Sequence, residues 1–190
     1  YQWGRKDPFP TFLGATFAMT YPENPMETME KGTYMQTLTN PRTSFVGTDW
    51  NSDNNLWNSD KTIYDPCPSG WRVPDGNPGV WSDISSYGWN GWNGFAYIST
   101  AGLNVNYPTA GYTDSRYNSN FFGEYAYCYS CSTDPHGLYA FYFRVGQYNY
   151  ETYSSINRDS HLSVRCQRMD ISDKEGDGDD YEVDDDYIWD

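Results

Sequence analysis

Basic residues are scarce in this chain: twelve Lys and Arg stand against 26 Asp and Glu, for a formal charge of −14. No cluster of cations is available to neutralise a phosphate backbone, which argues against nucleic acid as a partner. Long apolar runs are missing too. None approaches the ~18 to 20 residues that a membrane span requires, so no span is expected within the chain. Cysteine is sparse, four residues in 190, far from the dense disulfide framework of small secreted scaffolds. The first residue is Tyr1 rather than Met, so any leader is expected to have been removed or to lie outside this sequence.

What the chain has in quantity is aromatic rings. Mean hydropathy is low, −0.84, and by that average alone the sequence would sit near the disordered class. Eight Trp, nineteen Tyr and nine Phe reverse the inference, because a ring buries a large apolar area while keeping a polar edge. A packed core is therefore expected. At this length one domain is the prior, burying roughly 70% of the surface of the unfolded chain.

Charge divides the chain in two. Residues 170–190 hold eleven acids and one base, Lys174, so the tail carries −10 and residues 1–169 only −4. Apolar content also falls away after Cys166, which sets the expected organisation: a ligand-binding domain over 1–169 and an acidic tail over 170–190. Within the tail, Asp173, Glu175, Asp177 and Asp184 occupy positions 1, 3, 5 and 12 of a run with Gly178 at position 6. This is a weak calcium-loop candidate, since position 12 is Asp rather than Glu and no amphipathic helices flank it. A solvated acidic tail is the simpler reading.

Seventeen Gly and eleven Pro, with many Asn, Ser and Asp, leave little room for a sustained 3.6-residue period. One short helix is expected after Pro74, with Asn77 as cap, Pro78 at the first helical position and Val80, Trp81 and Ile84 on one face. Strand-like stretches are clearer: 95–99, 124–130, 138–145 and 161–167, rich in aromatic and β-branched residues. They imply an antiparallel sheet. Trp89-Asn-Gly-Trp92-Asn-Gly94 reads as a tight loop.

Catalytic patterns are weak. Acids of the body are scattered through polar loops with no pair singled out, and no nucleophile elbow accompanies His136 or His161. Cys128 and Cys131 have a Cys-x-x-Cys spacing, but too few His and Cys remain to complete a zinc site, and a redox pair needs a helix N-terminus where the sequence reads as strand. Two incidental cysteines or a local bridge is the alternative. Cys67 and Cys166 are either bridged, closing a long loop, or two buried thiols. No enzyme activity, cofactor or metal is expected.

Ten of the nineteen tyrosines fall within 112–157, interleaved with Asn, Ser, Asp and Thr. That palette suits a binding surface, since Tyr offers a large contact area with few torsions and small polar residues adapt their hydrogen bonds; a Tyr-rich sheet with half its rings packed inward is the other reading. Alternation over 138–145 puts Tyr139, Phe141, Phe143 and Val145 on one face and Tyr142 and Arg144 on the other, which is expected to be the exposed face. The candidate ligand-binding set is Arg116, Tyr117, Asn118, Asn120, Tyr127, Tyr129, Tyr142, Arg144, Tyr148, Tyr150 and Tyr153.

Several strings together resemble one family. Residues 1–10 (Tyr-Gln-Trp-Gly-Arg-Lys-Asp-Pro-Phe-Pro), 40–45 (Asn-Pro-Arg-Thr-Ser-Phe), Leu56-Trp57, 61–74 (Lys-Thr-Ile-Tyr-Asp-Pro-Cys-Pro-Ser-Gly-Trp-Arg-Val-Pro), Ala110-Gly-Tyr112 and 162–166 (Leu-Ser-Val-Arg-Cys) occur in that order. This order is similar to the Fibrobacter succinogenes major paralogous domain, the fimbrillin-like C-terminal domain of Bacteroidetes surface proteins. The resemblance implies an α+β, C-type-lectin-like fold with a small twisted antiparallel sheet, short helices and long loops. It also implies a disulfide between Cys67 and Cys166. Some such domains resemble the variable proteins of diversity-generating retroelements, whose substitutions have the palette of residues 112–160. Neither a Glu-Pro-Asn nor a Trp-Asn-Asp sugar-site motif is present: residues 22–24 read Pro-Glu-Asn, and Trp57 is followed by Asn-Ser-Asp.

The expected function is a non-catalytic recognition domain, exported and displayed on a cell, phage or appendage surface, that binds a protein or glycan on another cell or host surface. A structural subunit of a fimbria-like appendage is the alternative. An enzyme comes third, through the formylglycine-generating oxidases that share the implied fold.

Overall fold

The computed structural model describes residues 1–6, 28–30, 44–46, 54–76, 78–100, 103–114 and 119–169. Its centre is a three-stranded antiparallel sheet of β9 (Tyr125–Thr133), β10 (Tyr139–Gly146) and β11 (Tyr150–Asn157), with β10 in the middle. A second such sheet holds β4 (Ile84–Asn90), β5 (Phe95–Thr100) and β6 (Leu103–Pro108), with β5 central. Three pairs complete the strands: β1 (Thr28–Glu30) parallel to β2 (Ser44–Val46), β3 (Trp71–Arg72) antiparallel to β12 (Gln167–Arg168), and β7 (Tyr112–Thr113) antiparallel to β8 (Ser119–Asn120).

Burial along β9 explains the architecture. Tyr125 to Cys131 are buried without a break, as in a strand covered on both faces. Its sequence alternates large and small. Tyr125, Tyr127 and Tyr129, joined by Tyr142 and Ala140 of β10, pack with Trp3, Leu56, Trp57, Val73 and Leu162. The smaller Ala126 and Cys128 turn the other way and leave room for Phe143 and Val145, which pack with Trp81, Ala96, Ile98 and Tyr107 beneath the second sheet. Cross-strand register agrees: Tyr142 lies opposite Tyr129, and Phe143 opposite Cys128. Trp81 stacks on Phe143 with ring centroids 4.9 Å apart and donates from Nε1 to the Tyr107 hydroxyl at 3.0 Å. Every large ring in the core that carries a polar atom needs such a partner.

Three expectations are corrected. The α+β, C-type-lectin-like fold gives way to an all-β arrangement, with no helix among the described residues. Where the helix was expected, 78–83 makes a single turn closed by Ser82 N–H to Gly79 O (2.9 Å) and Gly79 N–H to Ser82 Oγ (2.8 Å). Only Trp81 of its apolar face is buried, Val80 being exposed, and Ile84 already begins β4. A two-turn helix would gain too little packing to form. The strand expected over 161–167 is reduced to isolated bridges at His161 and Ser163 before β12.

Tyr142, Tyr127 and Tyr129 are the third correction. They share one face, as the alternation requires, but that face is not exposed. The first six residues lie across it: Trp3 Nε1 donates to Ser130 O at 3.1 Å, its ring sits 5.5 Å from that of Trp57, and the Arg158 guanidinium stacks on it at 4.3 Å.

Cys67 and Cys166 are joined, with Cα atoms 5.7 Å apart, beside the β3–β12 ladder. Asp65, also buried, organises the loop leading into β3: its carboxylate accepts from Cys67 N–H at 2.8 Å and Val73 N–H at 2.9 Å, with Lys61 Nζ at 3.4 Å. Tail residues Asp173, Glu175, Asp177 and Asp184 lie outside the described residues.

His161 links this core to pH. Enclosure of its ring, aided by the nearby Arg5 charge, pushes its pKa down to about 3. Its unfolded counterpart titrates near ~6.5, so between these values the unfolded chain takes up a proton that the folded chain refuses, and stability must fall as pH falls from 6.5 toward 3. Asp75 acts in the same direction at lower pH: burial raises its pKa, but hydrogen bonds from Arg72, Ser59 and Cys131 outweigh this and hold it below the usual carboxylate range. Because His161 keeps partial contact with water, we expect a loss of about 1–2 kcal/mol between pH 7 and about pH 4.5, measured by urea titration. His161→Gln should flatten that slope, and an unchanged slope would contradict the assignment.

Candidate functional site

Several large rings stay in water, and most of them meet at one end of the two main sheets. Trp92 is 99% exposed at the tip of the β4–β5 hairpin, Tyr148 is 69% exposed in the β10–β11 turn, and Phe121 and Phe122 are 45% and 60% exposed ahead of β9. Their loops are stitched together. Thr109 N–H donates to Gly94 O at 2.9 Å, Gly123 N–H to Thr109 O at 2.8 Å, Trp89 Nε1 to Gly123 O at 2.9 Å and Gln147 N–H to Glu124 O at 3.2 Å. Tyr87 of β4 adds its hydroxyl, donating to Tyr148 O at 3.1 Å.

Ring contacts continue the connection inward. Phe121 lies 5.7 Å from Tyr125 and 6.3 Å from Tyr112, Tyr148 lies 6.5 Å from Tyr125, and Tyr87 meets Tyr150 edge-on at 5.0 Å. Such offset and edge arrangements favour rigid placement of each ring. Phe121 is held at φ 55°, a left-handed conformation unusual for a bulky residue and one that persists only where its surroundings enforce it. One enforcing neighbour is Gly111 at φ 59°, where a Cβ would stand 2.1 Å from Asn120 O. No larger residue fits there.

Arg144 lies under this rim. Its guanidinium contacts Glu151 Oε1 at 2.5 Å and lies 5.1 Å from the centre of the Tyr125 ring, so its charge is largely spent within the protein. Burial pushes the Tyr127 hydroxyl up to about 12 despite Arg144, which keeps it neutral. The site is thus aromatic, polar and short of net charge.

The sequence-derived candidates divide accordingly. Tyr148 is on the rim, with Asn120, Arg144 and Tyr150 half-buried at its base. Tyr127, Tyr129 and Tyr142 are core residues. Tyr153 is exposed but stacks on Phe141 at 3.9 Å away from the rim. Arg116, Tyr117 and Asn118 lie outside the described residues. Trp92, Phe121, Phe122 and Tyr87 were missed, although an Asn-Gly on each side of Trp92 and a Gly after Phe122 marked both as turn tips.

Cys128 and Cys131 project to opposite faces of β9, one into each core, so they form neither a bridge nor a ligand pair. Burial pushes both thiols up to about 12, and Cys131 Sγ donates to Asp75 Oδ1 at 3.2 Å. Both are protonated and unreactive at neutral pH. Among the described residues no group of three His, Cys, Asp or Glu is placed to hold a metal ion, and no helix is long and apolar enough to cross a membrane. Set beside known proteins, the chain matches no family model, no curated protein and no solved structure.

Proposed function

We propose that the chain is a non-catalytic recognition domain, displayed on a surface outside the cytoplasm, which binds a protein or glycan on another surface through the aromatic rim. The observation that carries this is the convergence of Trp92, Phe121, Phe122 and Tyr148 on three loops tied by backbone hydrogen bonds. Soluble domains seldom leave large rings together in water without a use for them, and rigid aromatic side chains on fixed loops bind at low entropic cost. The Cys67–Cys166 bridge supports an oxidising compartment. Strings resembling the major paralogous domain of Bacteroidetes surface proteins support export and display.

Single variants test the reading. Trp92→Ala, Phe122→Ala and Tyr148→Ala are each expected to leave the melting temperature within a few degrees, since these side chains add little to the core. At least one should weaken binding to fixed bacterial or animal cells by ~2 kcal/mol or more, the effect of losing an anchor. Binding that survives all three at parental strength would remove the rim from the function.

A further inference from the structure

The two most exposed rings of the rim, Trp92 and Tyr148, have amides beside them. Trp92 is followed by Asn93, which is exposed, and Tyr148 stands between exposed Gln147 and half-buried Asn149. Trp92, at 99% exposure, has both faces of its indole in water. Among the described residues around the rim, positive charge is scarce in contrast: Arg144 is paired with Glu151, Arg165 is held by Asn106 O at 2.6 Å and by the Tyr107 ring, and Glu124 adds an exposed acid. An anionic ligand would meet little compensating charge among these described groups.

A sugar ring complements these groups. One face of a pyranose presents C–H bonds that pack on an aromatic ring, and its hydroxyls both donate and accept, as a carboxamide does without carrying charge. Resting on the recognition reading above, we infer that the ligand is a neutral glycan, stacked on Trp92 with Asn93 as its hydrogen-bonding neighbour and reaching toward Gln147 and Tyr148. Rings on separate loops suit an extended chain of sugars, with one unit per ring, better than a single enclosed monosaccharide.

The test uses the full chain on a printed array of neutral, sialylated and sulfated glycans, with fixed bacterial and animal cells stained before and after periodate oxidation or trypsin. Binding is expected on neutral glycans, with Trp92→Ala weakening it by at least about tenfold, Trp92→Phe retaining most of it, and Asn93→Ala falling between. Binding confined to acidic glycans, or neutral binding indifferent to Trp92→Ala, overturns the inference. Staining that survives periodate, disappears with trypsin and still depends on Trp92, Phe122 or Tyr148 also overturns it, while leaving the recognition reading intact. Staining indifferent to all three rim variants, or no staining and no array signal, overturns both.

Discussion

Replacing Trp3 by Ala is expected to remove about 3–5 kcal/mol of folding stability, the range for a large ring taken from a core. Trp3 is fully buried between Trp57 and the Arg158 guanidinium, and its indole nitrogen satisfies Ser130 O in the middle of β9. Truncation therefore leaves a cavity and an unpaired buried carbonyl together. Leu56 cannot close the gap, because it already fills the space against Gly4, where an added Cβ would stand 2.7 Å from Leu56 Cδ1. For a domain of this size the loss corresponds to roughly 6–20 °C in melting temperature. Calorimetry decides it, and a shift under about 3 °C would mean that the opening residues are not part of the core.

The second large effect is expected from the disulfide. Removing both sulfurs as Cys67→Ala/Cys166→Ala should cost about 2–5 kcal/mol, near the upper end of what a chain-entropy argument allows for a closed loop of this length. Here the two cysteines are 99 residues apart, and the loop contains both main sheets. Other ties persist in the variant, chiefly Asp65 holding Cys67 and Val73 backbone N–H groups and the β3–β12 ladder, so folding should survive at reduced stability. Chemical denaturation of the parent and the double variant measures the difference. A difference below about 0.5 kcal/mol would show that these ties suffice without the covalent link.

The sequence carried the strands best where a strong pattern and a buried neighbour coincide. Residues 124–130 and 138–145 could be identified because Tyr-x-Tyr-x-Tyr and Phe-x-Phe-x-Val alternate at the period of a strand. Alternation separates two faces but does not say what covers each one. Trp3, whose indole reaches a carbonyl 127 positions further along the chain, belongs to the same buried cluster as Tyr142, and nothing local to Tyr142 announces that cover. The strands β4 and β11 were illegible for the opposite reason: Ser, Asn, Gly and Thr make up half or more of each, and they hold through pairing with β5 and β10. Within 78–83 Pro78 and the apolar spacing of a helix start were present, yet Gly79 and Ser82 close a local turn there instead; the expected cap, Asn77, lies outside the described residues.

The candidate site was legible as a composition and not as a place. Tyr with Asn and Ser over 112–157 pointed to a binding palette, and Tyr148 does reach the rim. The remaining exposed rings come from the tips of other loops, Trp92 and Phe122 among them, where turn chemistry was visible but exposure depends on three loops being tied at one end of the sheets. Cys128 and Cys131 illustrate the converse, since a spacing that suggests chemistry on a helix puts the two thiols on opposite faces of a strand.

The claim that recognition belongs to the rim, while the Tyr142 face is core, is tested most directly by one paired measurement of melting temperature and cell binding. Tyr142→Ala and the triple variant Trp92→Ala/Phe122→Ala/Tyr148→Ala are compared with the parent chain. Tyr142→Ala is expected to melt lower by roughly 6 °C or more, as a buried ring removed, and the triple variant to melt within a few degrees of the parent while its binding is lost. A triple variant that binds like the parent, or a Tyr142→Ala chain that keeps its stability and loses its binding, would contradict it.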